Sequence, residues 1–315
     1  MTVAVVDVGT NSVRLLVARP SERAHLRDVH RETRITRLGR GIDATGHLDD
    51  AALAHTLDVI SDYADIARSK DAGAMRVAAT SAVRDATDRD RFFAGVRERV
   101  GVDAQVLSGE QEAALSFLGG TAGIAGLSGA GAPYLLNDIG GGSTELILGD
   151  TAPVAWTSRQ LGCVRLTERT LQGDPYDPAT LADARRVAFA ELDLAAGEIE
   201  ATGGGSRPGT TPPTLVSVAG TATTIAALHL GLDTYDPVKI HGARVPRVGV
   251  DQLAVKLAAM TNDERRALGP MMPGREDVVV AGTIILSEIM DRFGTDETLV
   301  SEADILDGLA LSLLQ

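Results

Sequence analysis

The sequence has little cysteine, and nothing in it marks export or membrane insertion. Its single cysteine, Cys163, cannot form an internal disulfide, which fits a reducing compartment. No apolar run reaches the length of a transmembrane helix, and no basic segment with an apolar stretch precedes the first predicted strand. We therefore expect a soluble, cytoplasmic protein that does not engage a membrane.

Lysine and aromatic side chains are also scarce, and the charge is predominantly negative. Lysine occurs only at 70, 239 and 256, aromatic residues make up 3% of the 315 residues, and the net charge is -13. Such a chain is not suited to a general nucleic-acid or membrane surface. An anionic ligand must be held locally, by loops, a few arginines or metal ions. The length suffices for two domains with cores of Ala, Val, Leu and Ile.

What the sequence does contain is a repeated pattern. Residues 6–17 realign on residues 137–148, with Asp, Gly, Ser and Leu in register. Both copies consist of an apolar run, a glycine-containing turn and a second apolar run, which predicts a strand, a tight turn and a strand. The N–H groups of such turns converge on one spot beside a carboxylate. The repeat predicts two related domains, each offering a phosphate loop to a shared cleft.

The first turn follows a carboxylate, Asp7, which is a candidate ligand for the metal ion of a phosphate group. The candidate phosphate contacts of this turn are Gly9, Thr10, Asn11 and Ser12. The alternative is an ordinary hairpin in which Asp7 accepts hydrogen bonds from the amides of the turn.

The second turn is richer in glycine. Gly140, Gly141 and Gly142 let the backbone approach a ligand closely and aim several N–H groups at one oxygen. Ser143 and Thr144 add hydroxyl donors. We expect this loop to bind phosphate.

Two carboxylates flank the second turn. Asp138 precedes it, Glu145 follows on the returning strand, and the two can converge on one face of the hairpin. Hard oxygen ligands of this kind favour Mg²⁺, with Mn²⁺ as the alternative ion. A flexible turn with an exposed glutamate is the other interpretation, but Glu145 is a charge inside an otherwise apolar strand.

Glu110 is a candidate general base. Ser108 and Gln111 form a predicted capping box, which puts Glu110 in the first turn of a helix. There it could orient a water molecule for phosphoryl transfer, a reaction that depends more on positioning than on proton abstraction. The alternative is structural, because the helix dipole favours a glutamate in any first turn.

An arginine and the start of a later helix supply further candidate phosphate contacts. Arg84 follows a buried strand and could clamp a phosphate, or else pair with Asp85 or Asp88. Gly220 and Thr221 lie where a strand meets a helix, a position that favours anions but is equally consistent with a plain helix cap. We expect structural roles for His241 and Cys163.

The remaining pattern is that of an α/β protein. Strands are predicted at 3–8, 13–19, 26–35, 77–79, 104–107 and 215–218, with the second hairpin at 134–149 and a further strand after it through 159. Helices are predicted at 49–69, 88–99, 163–172, 178–200, 251–260, 274–293 and 302–314. Residues 119–133 are rich in Gly, Ala and Ser and predict a crossover between domains. Residues 203–213 predict a flexible surface loop.

Taken together, these motifs resemble a known family. Both hairpin loops occur in family order with Ala79-Thr80-Ser81-Ala82-Val83-Arg84, Ser108-Gly109-Glu110-Gln111-Glu112-Ala113, Leu161-Gly162-Cys163-Val164-Arg165-Leu166-Thr167 and Ala219-Gly220-Thr221-Ala222-Thr223. The chain resembles the exopolyphosphatase/guanosine pentaphosphate phosphohydrolase (Ppx/GppA) family over essentially its whole length. The resemblance implies the actin-like, sugar-kinase-like α/β fold, with two domains on five-stranded mixed sheets and the active site between them. The expected domains are 1–125, with helix 302–315 packed back on it, and 126–301.

The resemblance also implies roles for individual residues. Glu110 matches the catalytic base, Asp138 and Glu145 match the acidic metal site, and Arg84 matches a phosphate-contacting arginine. Residues 141–144 match the loop that cradles the terminal phosphates. Asn11, Ser12 and Arg14 match the opposing loop. The implied reaction is Mg²⁺-dependent release of terminal phosphate from inorganic polyphosphate.

Several departures and rival functions accompany the resemblance. Thr10 and Cys163 replace the serine and alanine that we expect there, and the HD-type C-terminal domain of larger members has no counterpart up to Gln315, which predicts a preference for short polyphosphate. The nearest rival is hydrolysis of guanosine pentaphosphate, the stringent-response alarmone. A kinase or ATPase on the same scaffold and a non-hydrolytic polyphosphate or alarmone sensor are the others. A homodimer is common among members.

Overall fold

The computed structural model describes residues 1–21, 26–204 and 213–314. Most of the predicted surface loop 203–213 lies outside these residues. The chain divides into two compact units, of which the N-terminal one comprises Met1–Gly123 and Ala303–Gln315 and the C-terminal one Ile124–Glu302. No helix in the described part of the chain is long and apolar enough to cross a membrane.

The predicted strands are present in the predicted order, and two further strands, at 244–246 and 297–300, were not predicted. The strands are β1 (Val3–Val8), β2 (Ser12–Pro20), β3 (Leu26–Ile35), β4 (Ala74–Ala79), β5 (Ala104–Val106), β6 (Tyr134–Ile139), β7 (Thr144–Gly149), β8 (Pro153–Arg159), β9 (Thr214–Val218), β10 (Arg244–Pro246) and β11 (Glu297–Val300).

In each unit the helices come after the first three strands. They are α1 (Ile42–Thr45), α2 (Asp50–Ser69), α3 (Ser81–Asp85), α4 (Asp90–Val100), α5 (Gly109–Ile124), α6 (Cys163–Thr170), α7 (Pro178–Ile199), α8 (Ala219–His229), α9 (Pro237–Ile240), α10 (Arg247–Ala258), α11 (Asn262–Arg266), α12 (Val279–Arg292) and α13 (Ile305–Leu314). A π-helical turn, Glu200–Gly204, extends α7. Helix α5 continues into the stretch 119–133 that was predicted as a crossover.

The two sheets repeat one topology. The N-terminal sheet has the order β3-β2-β1-β4-β5, and the C-terminal sheet has the order β8-β7-β6-β9-β11-β10. In both, the first three strands form an antiparallel meander, and the next two run parallel to its innermost strand. This duplicated order is that of the actin-like ATPase fold. The prediction of five strands in each sheet is wrong for the second one, because the three-residue strand β10 adds to its edge.

Each sheet is buried by helices. One face of the N-terminal sheet packs on α2 and α4 through residues such as Val6, Leu57 and Phe92. The other face packs on α13 through residues such as Val5 and Leu309. In the C-terminal unit a single cluster joins one sheet face to α7, α8, α10 and α12. Burial of these apolar side chains is the dominant stabilising contribution.

Candidate active site

The two predicted loops have the same backbone geometry. In the β1–β2 turn the N–H of Gly9 donates to the carbonyl of Ser12 at 2.9 Å, and in the β6–β7 turn Gly140 donates to Ser143 at 3.0 Å. A Cβ atom on either glycine would lie 3.2 Å from that same carbonyl oxygen. The repeat read from the sequence is therefore a structural repeat.

The glycine loop of the C-terminal unit is anchored through its carbonyls. Cys163 N–H donates to Gly140 O and Val164 N–H donates to Gly141 O, both at 2.9 Å. In a planar trans peptide the C=O and N–H groups point in opposite directions. The amides of Gly141 and Gly142 consequently point away from α6, on a common side of the loop. This arrangement suits an anion.

Gly162, the residue before α6, permits this anchoring. A Cβ atom at Gly162 would lie 2.3 Å from both the carbonyl carbon and the oxygen of Gly141, and 2.5 Å from Gly142 N. The Gly162 backbone is extended, so glycine is required here for space and not for its torsion angles.

Asp138 and Glu145 lie directly opposite each other on β6 and β7. Their exposed fractions are only 7% and 1%, and Ser158 Oγ donates to Glu145 Oε1 at 2.7 Å. Two buried carboxylates side by side fit a hard divalent cation. No group of three or more His, Cys, Asp or Glu in the described residues could hold a metal ion, but Mg²⁺ needs only one or two carboxylates when water and substrate phosphate complete its shell.

Two hydroxyls near the loop donate hydrogen bonds to backbone carbonyls of the protein. Thr144 Oγ1 is buried and donates to the carbonyl of Leu161. Thr221 Oγ1 donates to Ile139 O at 3.1 Å, which ties the start of α8 to the end of β6. Ser143 is buried at the loop itself.

Arg275 lies against the start of α8. A Cβ atom at Gly220 would lie 1.7 Å from Arg275 Nη1, so the guanidinium occupies the space that the glycine leaves open. Arg275 also contributes a positive charge near Cys163. Burial nevertheless raises the pKa of the Cys163 thiol to about 11. The thiol is therefore protonated at neutral pH, in agreement with a structural role.

The first loop is anchored in the same way as the second. Gly39 N–H donates to Thr10 O at 2.9 Å, and the N–H groups of Thr36 and Arg37 donate to Asn11 O at 3.0 Å. The amides of Asn11 and Ser12 accordingly point away from segment 36–39. The Thr10 hydroxyl is buried and lies 2.9 Å from the Ser81 hydroxyl.

Arg14 contacts carboxylates of its own unit. Its Nε and Nη2 atoms donate to Asp7 Oδ2 at 3.0 and 2.7 Å, and Nη1 donates to Asp304. The other oxygen, Asp7 Oδ1, is buried with no hydrogen-bond partner among the described residues. Burial raises the pKa of Asp7, although the Arg14 charge and hydrogen bond act in the opposite direction.

Arg84 and Glu110 lie around the start of α5. Arg84 Nη1 donates to Glu112 Oε2 at 2.9 Å and to Leu107 O at 3.0 Å, which fixes the guanidinium. Glu110 is exposed in the first helical turn. The predicted capping box is confirmed, because Gln111 N–H donates to the Ser108 hydroxyl and Ser108 N–H donates to the Gln111 side chain.

Comparison with known proteins identifies the family. The profile of the Ppx/GppA phosphatase family matches residues 16–315. The chain belongs to the Ppx/GppA phosphatase family. Exopolyphosphatase 2 of Mycobacterium tuberculosis is 43% identical, over 99% of this chain and 98% of the relative. The crystal structure of an exopolyphosphatase-like protein, 34% identical, superposes with a TM-score of 0.91 over 99% of this chain and 98% of the other.

A second kind of Ppx/GppA relative is also similar. Guanosine-5'-triphosphate,3'-diphosphate pyrophosphatase of Vibrio atlanticus is 34% identical, over 53% of this chain and 33% of the relative. Membership of the Ppx/GppA family makes the chain a phosphoanhydride hydrolase.

Within each unit the structure brings most predicted residues together. In the C-terminal unit they are Asp138, Gly140, Gly141, Gly142, Ser143, Thr144, Glu145, Gly220 and Thr221. In the N-terminal unit Asp7 and Arg14 flank the first loop, while Arg84 and Glu110 lie near α5. Sequence reasoning missed Ser158, Gly162 and Arg275. The strand predicted through residue 159 was the one available signal for Ser158.

Proposed function

We propose that this Ppx/GppA protein is an exopolyphosphatase that releases orthophosphate from the end of inorganic polyphosphate. The observation that carries the proposal is the buried pair Asp138 and Glu145 beside the glycine loop, whose Gly141 and Gly142 amides share one direction. A cation site next to an anion-binding loop is what a terminal phosphate with its metal ion requires. The similarity to Exopolyphosphatase 2 supports this substrate.

Each group of the proposed active site has its own role in the reaction. The amides of Gly141 and Gly142 hold oxygens of the terminal phosphate, and Asp138 and Glu145 hold Mg²⁺ or Mn²⁺. The ion, when bound, neutralises charge that develops on the transferring phosphoryl group. Glu110 orients the attacking water. The water oxygen bonds to the terminal phosphorus, the bond to the bridging oxygen breaks, and orthophosphate leaves together with a chain shortened by one unit.

Arg84 is the proposed contact for an adjacent phosphate. Its guanidinium has a fixed position because Glu112 and the Leu107 carbonyl both accept hydrogen bonds from it. A preorganised arginine loses little conformational entropy when it binds phosphate. Replacement of Arg84 by Ala should therefore weaken substrate binding as well as turnover.

Phosphate release in the presence of Mg²⁺ tests the proposal, with short polyphosphate, long polyphosphate, guanosine pentaphosphate and ATP assayed in parallel. Release from polyphosphate that is lost in Glu110→Ala and Asp138→Asn is the expected result. Glu110→Ala should reduce kcat far more than it changes KM. Wild-type turnover in Glu110→Ala would remove this residue from the mechanism, and faster ADP formation from ATP would identify a kinase or ATPase.

Guanosine pentaphosphate hydrolysis is the second candidate. The similarity to the Vibrio atlanticus enzyme favours it, and the same carboxylates and loop would act on the 5'-terminal phosphate. Release from guanosine pentaphosphate alone would assign the protein to alarmone metabolism. Intact ligands after long incubation with Mg²⁺ would instead identify a sensor.

Light scattering of the purified protein tests the expected homodimer.

A further inference from the structure

Three polar side chains form a row across the meander of the C-terminal sheet. Asp138 on β6 lies opposite Glu145 on β7, and Glu145 lies opposite Ser158 on β8. Cross-strand partners place their side chains on the same face of a sheet, because side chains alternate along each strand. The two carboxylates and the hydroxyl therefore share one face.

The hydroxyl of Ser158 has a defined relationship to Glu145. Ser158 Oγ donates to Glu145 Oε1 at 2.7 Å, the usual length for a hydroxyl that donates to a carboxylate. Glu145 has an exposed fraction of 1%. A hydrogen bond to a buried carboxylate favours its ionised form and restricts rotation of its plane.

The neighbouring residue on β8 provides a natural comparison. Thr157 points to the opposite face, lies opposite Leu146, and donates from Oγ1 to Glu198 of α7. Thr157 is thus also a hydroxyl bonded to a glutamate on the same strand. It differs from Ser158 in that Glu198 belongs to the helical layer and not to the pair beside the glycine loop.

We infer that Ser158 is a positioning residue that holds Glu145 in the orientation required for the divalent cation. The inference rests on the proposed function, in which Asp138 and Glu145 bind the metal ion. Groups that hydrogen-bond a ligating side chain orient it, and their loss typically costs about 10–100-fold in metal affinity or activity. Ser158 acts only through Glu145 and has no direct role in the reaction.

The experiment compares Ser158→Ala with Thr157→Val, each of which removes one hydroxyl from β8. Binding of Mn²⁺ to the substrate-free protein is measured by electron paramagnetic resonance of the free ion. The Mg²⁺ concentration for half-maximal phosphate release is measured in parallel. For Ser158→Ala we expect the Mn²⁺ dissociation constant and the half-maximal Mg²⁺ concentration each to rise by about 10-fold or more. We expect little loss of kcat at saturating Mg²⁺. Thr157→Val should leave the Mn²⁺ dissociation constant and the half-maximal Mg²⁺ concentration unchanged. Ser158→Thr keeps a hydroxyl at this position and should have the wild-type values of both.

Each outcome decides the inference. Unchanged Mn²⁺ affinity in Ser158→Ala, an equal loss in Thr157→Val, or a wild-type protein that binds no Mn²⁺ would overturn it. If Ser158→Ala does not fold, as judged by circular dichroism, Ser158→Cys supplies a weak donor of similar size for the same comparison. Failure of the proposed function is a separate result, because it appears as absent phosphate release by the wild-type protein while Mn²⁺ binding still reports on Ser158.

Discussion

Asp7 and Arg14 face each other across β1 and β2, and the guanidinium donates two hydrogen bonds to Asp7 Oδ2, at 3.0 and 2.7 Å. The equivalent positions of the second hairpin hold Asp138 and Glu145. One backbone turn thus carries an ion pair in the first copy and two carboxylates in the second. For this reason we assign the metal ion of the proposed reaction to the second hairpin.

The Asp7→Asn variant tests whether burial of Asp7 or its ion pair with Arg14 dominates the pH dependence of stability. Burial raises the pKa of Asp7 above its ordinary value of 3.8, so the folded state favours the protonated carboxyl. Ionisation of Asp7 therefore lowers the stability of the wild-type protein as the pH rises above that value. Asparagine cannot ionise, and the melting temperature of Asp7→Asn relative to wild type should increase from acidic to neutral pH. If this difference in melting temperature instead decreases from acidic to neutral pH, the Arg14 pair outweighs burial.

Gly162→Ala should displace the glycine loop. The new Cβ would lie 2.3 Å from backbone atoms of Gly141, and no side-chain rotation can relieve that contact. Because small displacements of positioning groups are costly, we expect kcat/KM to fall by on the order of 100-fold. Gly197→Ala is the control, since its Cβ would have no neighbour within 4 Å and it should stabilise α7 by about 0.5–1 kcal/mol. Equal activity of the two variants would contradict this prediction.

Cys163 should be chemically inert in the folded protein. Burial raises its pKa to about 11, and the thiolate is the reactive form. Incubation with iodoacetamide at neutral pH should leave Cys163 unmodified by mass spectrometry, whereas the unfolded protein should be alkylated. Rapid modification of the native protein would mean that the thiol is accessible and ionised.

Arg265→Met should strongly destabilise the C-terminal unit. Arg265 is fully buried, donates to the carbonyls of Leu257, Met260 and Glu276, and lies 5.0 Å from the Tyr176 ring centroid. Removal of a buried, fully bonded guanidinium leaves these acceptors unsatisfied and should lower the free energy of unfolding by about 3–5 kcal/mol.

The neighbouring Arg266 is the matched control for that prediction. Its side chain is half exposed and pairs with Glu276 and Asp263, so Arg266→Met should cost about 1 kcal/mol or less. Urea unfolding of both variants, followed by circular dichroism, measures the difference. Similar urea midpoints for the two variants would show that the buried contacts of Arg265 contribute little to the free energy of unfolding.

Local patterns predicted the elements well where their causes are local. The strand expected at 26–35 is β3, Leu26–Ile35, and the helix expected at 49–69 is α2, which Asp49 caps. The helix expected from 274 begins instead at Val279. Glu276 accepts a hydrogen bond from Gly274 N–H at 2.6 Å and also pairs with Arg266, and these contacts hold the segment in a turn.

The sequence by itself determined the two hairpins and the pairing of Asp138 with Glu145, because a tight turn fixes the register of the strands that it joins. Only the tertiary structure decided that Gly162, Ser158 and Arg275 act on the loop and its surroundings. The contacts of Gly162 and Arg275 join segments that are distant along the chain, and they follow from how sheet and helices pack. Ser158 meets Glu145 through the β7–β8 register, which is shifted by an irregularity at Leu148 and Gly149. Tertiary structure likewise decided that Arg14 also binds Asp304, since Asp304 comes to β2 only because α13 packs on the first sheet.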